Sequence, residues 1–380
     1  MSPKSLEMLV TGELILGMSD PSPEFYFDLV VPTFKKADLV IAHLEVAHTE
    51  RPASEGAMTA PPPDNMRGIP YSGISAVTFA GNAAMAYGVS GIVDTLDWLK
   101  KHDIPNTGAG MNIDEARRPM MLERNGTRFG FLSYNCVSGP QSGAGYNRPG
   151  LAYVDIITHH EATSFPGSPP RTFTFPERWS LEAMREDIRN LRPLCDVLSV
   201  ALHMGSAMTE IMLQDYEFEV PYAAIDAGAD LIIGNHTHVL RGIEFYKEKP
   251  IFHCVGNLVC VFPWEAHRMF QPPEPESTLT KSRLRGRVGV SPRSWMDLEY
   301  PYFPFPPAGR KGVIVKCVIE GGKISRISYL PLLINKQGQP EILKHDERGQ
   351  EVFDYMNKIT REAGLNAKYE WERDEVVVRA

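Results

Sequence analysis

The stretch Ala229-Asp230-Leu231-Ile232-Ile233-Gly234-Asn235-His236-Thr237-His238 joins a short apolar run to two histidines that are separated by one residue. The apolar run has the length and composition of a buried strand. Open α/β sheets gather their active sites at the carboxyl ends of the strands, which is where the two imidazoles would stand. Imidazole nitrogens are common ligands of transition-metal ions. The stretch therefore predicts an α/β fold with a metal site above the end of a strand.

Four other short apolar runs end in polar residues of a similar kind. The runs at 8–12, 38–42, 76–80 and 197–202 lead to Glu13, to His43 and Glu45, to Asn82, and to His203. A single polar residue after a strand is ordinary, but carboxylate, amide and imidazole groups together make a ligand set for divalent cations. Because strand ends can meet at one edge of a sheet, we expect these groups to converge with the two histidines. His43 is left open between a metal ligand and a hydrogen-bond donor to a ligand.

The motifs around these residues resemble those of the CapA family, the poly-γ-glutamate capsule synthesis proteins of the calcineurin-like metallophosphoesterase superfamily. The family pattern G-x-H-P-H-V-L, then I-E, then K-P-I-F-Y-S-L-G-N is similar to residues 234–240, 243–244 and 249–257. Its motifs G-D, N-L-E, A-N-N-H-A-x-D-Y-G and S-L-H-W-G are similar to residues 12–13, 43–45, 80–88 and 201–205. The similarity extends from about residue 8 to about residue 335.

The resemblance implies a four-layer αββα sandwich of the metallo-dependent phosphatase type, with divalent metal ions (Mn, Zn or Fe). Two ions are expected, and a single-metal site stays open if Glu13 or Asn82 does not bind. The implied metal ligands are Glu13, His43, Glu45, Asn82, His203, His236 and His238. Since these residues are spread along the chain, we expect one domain over 1–380. A lid-like insertion is expected at about 139–178 and an irregular segment at about 262–310.

Departures from the family pattern change the expected chemistry. In the superfamily, a histidine that follows the metal-binding asparagine protonates the leaving group of a phosphate ester, but here Ala83 follows Asn82. Ala86 replaces the family's aspartate, Glu13 is one methylene longer than the usual aspartate, and His43 replaces an asparagine. Loss of a general acid typically costs about 10²–10⁴-fold in rate. Ordinary phosphomonoesterase activity is therefore not expected.

These observations predict a metal-dependent hydrolase that attacks a carbon electrophile (an amide, ester or lactone, including a γ-glutamyl-type amide) through a metal-bound hydroxide. The candidate catalytic residues are His43 and His253, and the candidate substrate contacts are Tyr87 and Arg241. Two alternatives stay open. One is a phosphoesterase with a relocated general acid, and the other is a non-catalytic accessory or binding protein of poly-γ-glutamate synthesis.

The amino-acid composition limits the classes of partner that the protein is expected to bind. The 380 residues carry 39 Lys and Arg against 47 Asp and Glu, a net charge of −8, which gives no electrostatic basis for nucleic-acid binding. We expect a small-molecule or peptide-like substrate and leave the oligomeric state open.

The sequence contains no run of 18 apolar residues, so we predict no membrane span. The first 17 residues lack a signal-peptide pattern. Five cysteines without tight spacing suggest reduced thiols, so the predicted location is cytoplasmic.

Periodicity and turn residues give a coarse order of elements along the chain. Late strand pairs are expected at 312–319 and 324–330, and Gly228 suits the C-terminal end of a helix. A proline-rich loop is expected at 52–70. Helices are expected near 24–36, 88–102, 181–194, 216–227 and 350–362.

Overall fold

The computed structural model describes residues 5–51, 60–162, 170–262, 297 and 299–380. Twenty strands lie in these ranges. The first ten are β1 (Leu6–Leu16), β2 (Leu39–Leu44), β3 (Ala76–Thr78), β4 (Asn106–Thr107), β5 (Ala109–Gly110), β6 (Met120–Arg124), β7 (Thr127–Asn135), β8 (Gly150–Leu151), β9 (Ile156–Glu161) and β10 (Arg171–Pro176). The other ten are β11 (Val197–His203), β12 (Leu231–Asn235), β13 (Ile243–Tyr246), β14 (Lys249–Phe252), β15 (Asn257–Val261), β16 (Lys311–Glu320), β17 (Lys323–Ile334), β18 (Pro340–Ile342), β19 (Lys368–Glu372) and β20 (Glu375–Arg379).

Seven α-helices occur in the same part of the chain. They are α1 (Val31–Phe34), α2 (Gly68–Ser72), α3 (Gly88–Lys101), α4 (Ile113–Ala116), α5 (Arg178–Leu191), α6 (Tyr216–Ala227) and α7 (Glu347–Glu362). Short 3-10 helices cover Pro23–Phe27, Pro63–Arg67, Asn82–Met85, Arg192–Leu194 and Pro307–Arg310. Gly228 ends α6 with φ +125°, as the sequence predicts.

Two large sheets organise the fold. The first has the order β19-β20-β17-β16-β1-β2-β3-β4, with β15 beside the second half of β1 and β18 beside β17. Its strands β1 to β4 run parallel, whereas β16, β17 and β20 are antiparallel to their neighbours. The second sheet has the order β13-β14-β12-β11-β7-β6, and β7, β11, β12 and β14 run parallel. The strands that carry the predicted ligands are therefore parallel members of both sheets.

The layers follow from alternation of side chains along the buried strands. Val10 of β1 and Ile233 of β12 point into a core between the two sheets. Leu9, one residue earlier in β1, points to an outer core that it shares with Ile92 of α3. On the far side of the second sheet, Ile232 lies in another outer core with side chains of α5 and α6. The arrangement is helix, sheet, sheet, helix, which confirms the predicted αββα class.

Two local predictions need correction. The helix predicted near 24–36 is a 3-10 helix at Pro23–Phe27 followed by the four-residue α1. Pro32 explains the break, since a proline fits the first turn of a helix and not its interior. The loop predicted at 52–70 contains the 3-10 helix Pro63–Arg67 and the start of α2, again with a proline in the first turn. Residues 52–59 lie outside the described residues.

The predicted insertion at 139–178 has regular elements in its described part, residues 139–162 and 170–178. It contains β8 and a two-stranded ribbon of β9 and β10, and Arg178 already begins α5. Most of the predicted irregular segment at 262–310 lies outside the described residues. Among the described residues, no helix is long and apolar enough to cross a membrane. All five cysteines are buried and unpaired.

Candidate metal centre

Three side chains from two sheets meet at hydrogen-bond distance and form the first half of the site. Asn82 Oδ1 lies 2.6 Å from His203 Nε2 and 2.9 Å from His236 Nδ1. The two imidazole nitrogens are 3.1 Å apart. Ligands that sit 2.0–2.1 Å from a tetrahedral ion are separated by about 3.3 Å, so this triangle is close to the size of a coordination face. We call these three residues the amide-imidazole triad.

A second set, the carboxylate triad, lies beside the first and consists of Glu13, Glu45 and His238. Each of the three residues is buried and places one ligand atom within 4.8 Å of the other two. His238 Nδ1 is 2.9 Å from Glu13 Oε2, and His238 Nε2 is 3.6 Å from Glu45 Oε1. Two carboxylates and an imidazole are a suitable ligand set for a divalent transition metal.

The backbone between the two histidines joins the triads. The main-chain N–H of His236 donates a hydrogen bond to Glu13 Oε1. His236 and His238 both have positive φ values, +99° and +56°. Non-glycine residues in this region cost of order 1–3 kcal/mol each, so the surrounding structure must hold them there. The strained turn places one imidazole in each triad.

Glycines allow the strands to approach closely enough to build the centre. A Cβ on Gly12 would lie 2.0 Å from the carbonyl oxygen of Gly256, so β1 can bring Glu13 into place only with glycine at this position. Glu13 is also where the register of β1 shifts against β2 and β15. A Cβ on Gly81 would lie 2.9 Å from atoms of Glu45, which explains the glycine before Asn82.

The two buried carboxyl groups are not equivalent. Burial opposes ionisation of Glu13, but the charge of His238 and hydrogen bonds from His238 and Glu45 hold its pKa well below the usual range. Burial is the largest cause that raises the pKa of Glu45 well above the usual range. The charge of Glu13 and the hydrogen bond between Glu45 and Glu13 raise it further. Without a cation, Glu13 is therefore ionised and Glu45 keeps a proton that the two groups share.

An unsatisfied oxygen in this pair fits a cation. Glu45 Oε2 is buried and receives no hydrogen bond from the described residues. Buried carboxylate oxygens without donors are costly unless they are paired or coordinate a metal. A divalent ion would supply the missing positive charge and allow both groups to ionise.

The imidazoles are in the protonation state that binds metals. Burial, assisted by the nearby His238, lowers the pKa of His236 to about 4. Burial and the neighbouring His236 hold the pKa of His203 well below its usual range. Both rings are therefore neutral at physiological pH, and neutral imidazole is the form that coordinates metal ions. The donor set fits the divalent ions that the sequence predicts.

His43 lies next to the centre without joining either triad. Its Nε2 is 3.0 Å from His203 Nδ1, and its Nδ1 is 2.9 Å from Thr78 Oγ1. Both ring nitrogens are thus directed at protein atoms.

Tyr87, a predicted substrate contact, is only 4% exposed and packs in the outer core of the first sheet.

Arg241, a predicted substrate contact, and His253, a predicted catalytic residue, are both fully buried. Arg241 pairs with Glu217, and its guanidinium also donates to the carbonyl oxygens of Thr209 and Met212. These contacts fix the loop after β11, and the substrate role of Arg241 stays a prediction. His253 Nε2 is bonded to Glu244 Oε1 at 2.9 Å, away from the triads. Its catalytic role stays a prediction.

Two residues outside the predicted set support His238. Asn257 Oδ1 lies 2.9 Å from His238 Nδ1, and its amide nitrogen donates to the carbonyl oxygens of His238 and Gly309. The Gly256-Asn257 pair at the end of one motif was the available signal for Asn257. Phe305 stacks on the His238 ring with centroids 3.8 Å apart and an interplanar angle of 14°. No sequence pattern pointed to Phe305, which is distant along the chain.

Comparison with known proteins agrees with the motifs. Residues 8–261 match the family described as Bacterial capsule synthesis protein PGA_cap. The chain belongs to this family. This confirms the resemblance to CapA proteins, and the matched range contains every residue of both triads.

Relatives with assigned names include two proteins from bacilli. The PGA biosynthesis protein CapA of Bacillus subtilis is 26% identical over 275 residues, 70% of this chain and 64% of that protein. The capsule biosynthesis protein CapA of Bacillus anthracis is 22% identical over 273 residues, 69% of this chain and 61% of that protein. A probable polyglutamine synthesis accessory protein of Mycobacterium tuberculosis is 24% identical over 201 residues, 52% of this chain and 48% of that protein. The chain thus spans less than two thirds of each relative.

Solved structures include two that overlap most of this chain at low sequence identity. A hypothetical protein from Thermus thermophilus has a TM-score of 0.46 and 15% identity, with 86% of this chain and 98% of that chain covered. The calcineurin-like phosphoesterase YfkN from Bacillus subtilis has a TM-score of 0.36 and 13% identity, with 94% and 98% covered.

Proposed function

We propose that this protein is a metal-dependent hydrolase with two divalent ions, and that it cleaves a carbon–nitrogen or carbon–oxygen bond. The observation that carries the proposal is the pair of adjoining triads, buried except for the half-buried Asn82, next to Ala83. The amide-imidazole triad would hold one ion and the carboxylate triad the other. Mn, Zn and Fe all suit imidazole and carboxylate ligands. When bound, such ions act as Lewis acids and lower the pKa of water toward neutrality.

The protein residues contribute placement and charge. Glu13 would contact the carboxylate-triad ion while it accepts the N–H of His236, and so fixes the spacing between the two sites. Phe305 and Asn257 hold the ring of His238 from two sides. A rigid arrangement of this kind positions a substrate group without a cost of reorganisation during the reaction.

The absence of an imidazole at position 83 favours a carbon electrophile. Among the described histidines, those that contact a triad member are His43, His203, His236 and His238. The first is bonded at both ring nitrogens, and the others belong to the triads. The described part of the chain therefore offers no evident replacement for the acid that a phosphate ester needs.

The substrate class follows from the family. Two relatives are named for PGA or capsule biosynthesis, and others for polyglutamine synthesis. We propose a peptide-like substrate, with a γ-glutamyl amide as the first candidate. A substrate of this kind carries carboxylates, which the net charge of −8 would repel unless bound ions supply a local positive field. The predicted cytoplasmic location stays a prediction.

The test is an activity panel with wild type and Ala83→His, each loaded with Mn, Zn or Fe. We expect wild type to hydrolyse an amide or ester, γ-glutamyl anilides included, and to be poor on an aryl phosphate. Ala83→His should remain poor on the phosphate, since a misplacement of about 1 Å can cost about 10²-fold. The metal-stripped protein is the control.

Two outcomes would replace the proposal. Strong wild-type turnover of the aryl phosphate, with no action on the carbon electrophiles, would establish a phosphoesterase with a relocated acid. Bound metal without hydrolysis of any compound in the panel would favour an accessory protein, the role that the name of the Mycobacterium relatives describes.

A further inference from the structure

We propose that His43 is a positioning residue that fixes the tautomer and orientation of the metal ligand His203. The inference rests on the metal centre proposed above. It concerns the ring nitrogen of His203 that points away from the amide-imidazole triad. That nitrogen, Nδ1, is 3.0 Å from His43 Nε2.

A continuous line of polar groups leads inward from His203. His43 Nδ1 lies 2.9 Å from Thr78 Oγ1, and Thr78 Oγ1 lies 3.5 Å from the carbonyl oxygen of Ala42. The register of the sheet sets this line, because Thr78 is the residue that β3 pairs with His43 of β2. His43, His203 and Thr78 are all buried, so water does not compete for these bonds.

When His203 Nε2 coordinates an ion, only one placement of the protons on His203, His43 and Thr78 satisfies every hydrogen bond in the line. His203 Nδ1 then carries the proton and donates to His43 Nε2. His43 must carry its own proton on Nδ1 and donate to Thr78 Oγ1. The Thr78 hydroxyl hydrogen is left to point at the carbonyl of Ala42, which can only accept. Every donor in the line has an acceptor.

The same arrangement argues against His43 as a metal ligand. Its Nε2 lone pair is used by His203, and its Nδ1 carries a proton. A ligating histidine commonly donates its second ring N–H to a protein acceptor, which raises its basicity and holds its plane. The His43 and His203 rings also lie 5.1 Å apart with an interplanar angle of 26°, which limits rotation of either ring.

Imidazole length explains why histidine stands where the family pattern has asparagine. His43 is on β2 of the first sheet and His203 is on β11 of the second sheet. The contact crosses between the sheets, and an asparagine amide is shorter than an imidazole. Glutamine has about the same reach as His Nε2 and offers an acceptor oxygen. Leucine fills a similar volume and offers none.

These properties define the test. His43→Leu and His43→Gln are compared with wild type for Zn and Co affinity, by competition with a chromophoric chelator. We expect a loss of about 10–100-fold in affinity for His43→Leu and a return to within a few-fold of wild type for His43→Gln. In Zn-loaded protein labelled with ¹⁵N-histidine, long-range ¹H–¹⁵N spectra should show His203 protonated at Nδ1 in wild type. That signature should weaken in His43→Leu.

Thr78→Val is the second variant, chosen in case His43→Leu fails to fold. It removes the acceptor for His43 Nδ1 and should weaken metal affinity in the same direction by a smaller factor. Wild-type affinity and an unchanged His203 tautomer in the folded variants would overturn the role of His43 while leaving the metal centre intact. A wild type that binds no metal would overturn the centre itself. Metal binding that depends on His43 in a protein without hydrolytic activity would reject only the proposed reaction.

Discussion

Glu13 organises the centre through its two oxygen atoms. One oxygen accepts the N–H of His236, and the other lies 2.9 Å from His238 Nδ1. The longer side chain in place of the family's aspartate therefore contacts the main chain of one histidine and the side chain of the other. Single residues of this kind set the geometry of both triads.

Alanine at either histidine of the amide-imidazole triad should remove metal before it harms folding. We expect His203→Ala and His236→Ala to lower metal affinity by at least about 10–100-fold and to abolish hydrolysis. Ligand loss acts on metal affinity first, whereas loss of a core histidine acts on stability. Metal content after dialysis, together with thermal unfolding of the apo-proteins, measures both effects.

His253→Gln is the matched control, since His253 is equally buried but lies outside the triads. This variant should keep its metal. Full metal occupancy in His203→Ala and His236→Ala would show that the ligand assignment is mistaken.

The sequence predicts that side chains after strand-like runs converge, and the structure brings them together, while their role as metal ligands stays a prediction. Glu13, Asn82 and His203 each come directly after or near the end of an apolar run, and all three lie in the triads. Phe305 could not be predicted, because its stacking on His238 depends on where a distant, proline-rich segment packs. The burial of Arg241 could not be predicted either, because its position near His238 in sequence says nothing about the direction of its side chain.

At the scale of elements, the loop after β11 is held by a buried ion pair. Arg241 and Glu217 are both fully buried, and Arg241 also bonds the carbonyl oxygens of Ser206 and Met212. Removal of one partner leaves an unpaired buried charge. The loop follows directly from the candidate ligand His203, so the pair links the stability of α6 to the shape of the site.

Arg241→Met should therefore lower the free energy of unfolding by about 3–5 kcal/mol. Denaturant unfolding followed by circular dichroism measures the change. The double variant Arg241→Met with Glu217→Leu should recover part of the loss, because no isolated charge remains. A single variant within about 1 kcal/mol of wild type, as expected for a surface residue, would contradict the role assigned to the pair.

A second electrostatic contact ties together the amino-terminal ends of the second sheet. Asp230 precedes β12 and accepts hydrogen bonds from Arg192 at 2.6 Å, Lys249 at 2.8 Å and the N–H of Leu198 at 3.0 Å. Burial opposes its ionisation, but the hydrogen bonds from Lys249, Arg192 and Leu198 lower the pKa of Asp230 overall. A carboxyl whose pKa is lower in the folded state adds stability above its unfolded pKa of about 3.9.

Asp230→Asn should lower the free energy of unfolding at pH 7 by about 1.5–3 kcal/mol. The difference from wild type should shrink as pH falls below about 4 and through the lower folded pKa, because the wild-type carboxylate is then protonated. Urea unfolding of both proteins at several pH values measures this difference in free energy. Asp226→Asn is the control, since it removes a more exposed ion pair with Lys247. We expect it to change the free energy of unfolding only slightly. A difference that is independent of pH would refute the electrostatic origin.

At the scale of the whole molecule, the centre lies where strand ends of two sheets meet. β1, β2 and the turn after β3 bring Glu13, Glu45 and Asn82, while β11 and the turn after β12 bring the three histidines. The αββα class was predictable because strand–helix alternation and the family motifs agree. The order of the strands was not predictable, nor was the change of the pairing partner along β1 from β16 to β15. Both depend on contacts between residues that are hundreds of positions apart in the chain.

The expected single domain over 1–380 stays a prediction, which the core shared by the two sheets supports. A lid role for the ribbon of β9 and β10 likewise stays a prediction. We propose that the two triads together hold two divalent ions.

A crystal structure of the protein loaded with Mn or Zn, with anomalous maps at the metal edge and metal content measured in solution, tests that claim most directly. The account predicts two anomalous peaks per chain. One should lie within coordination distance of Asn82, His203 and His236, and the other within coordination distance of Glu13, Glu45 and His238. An absence of metal, or ions bound away from both triads, would contradict the account.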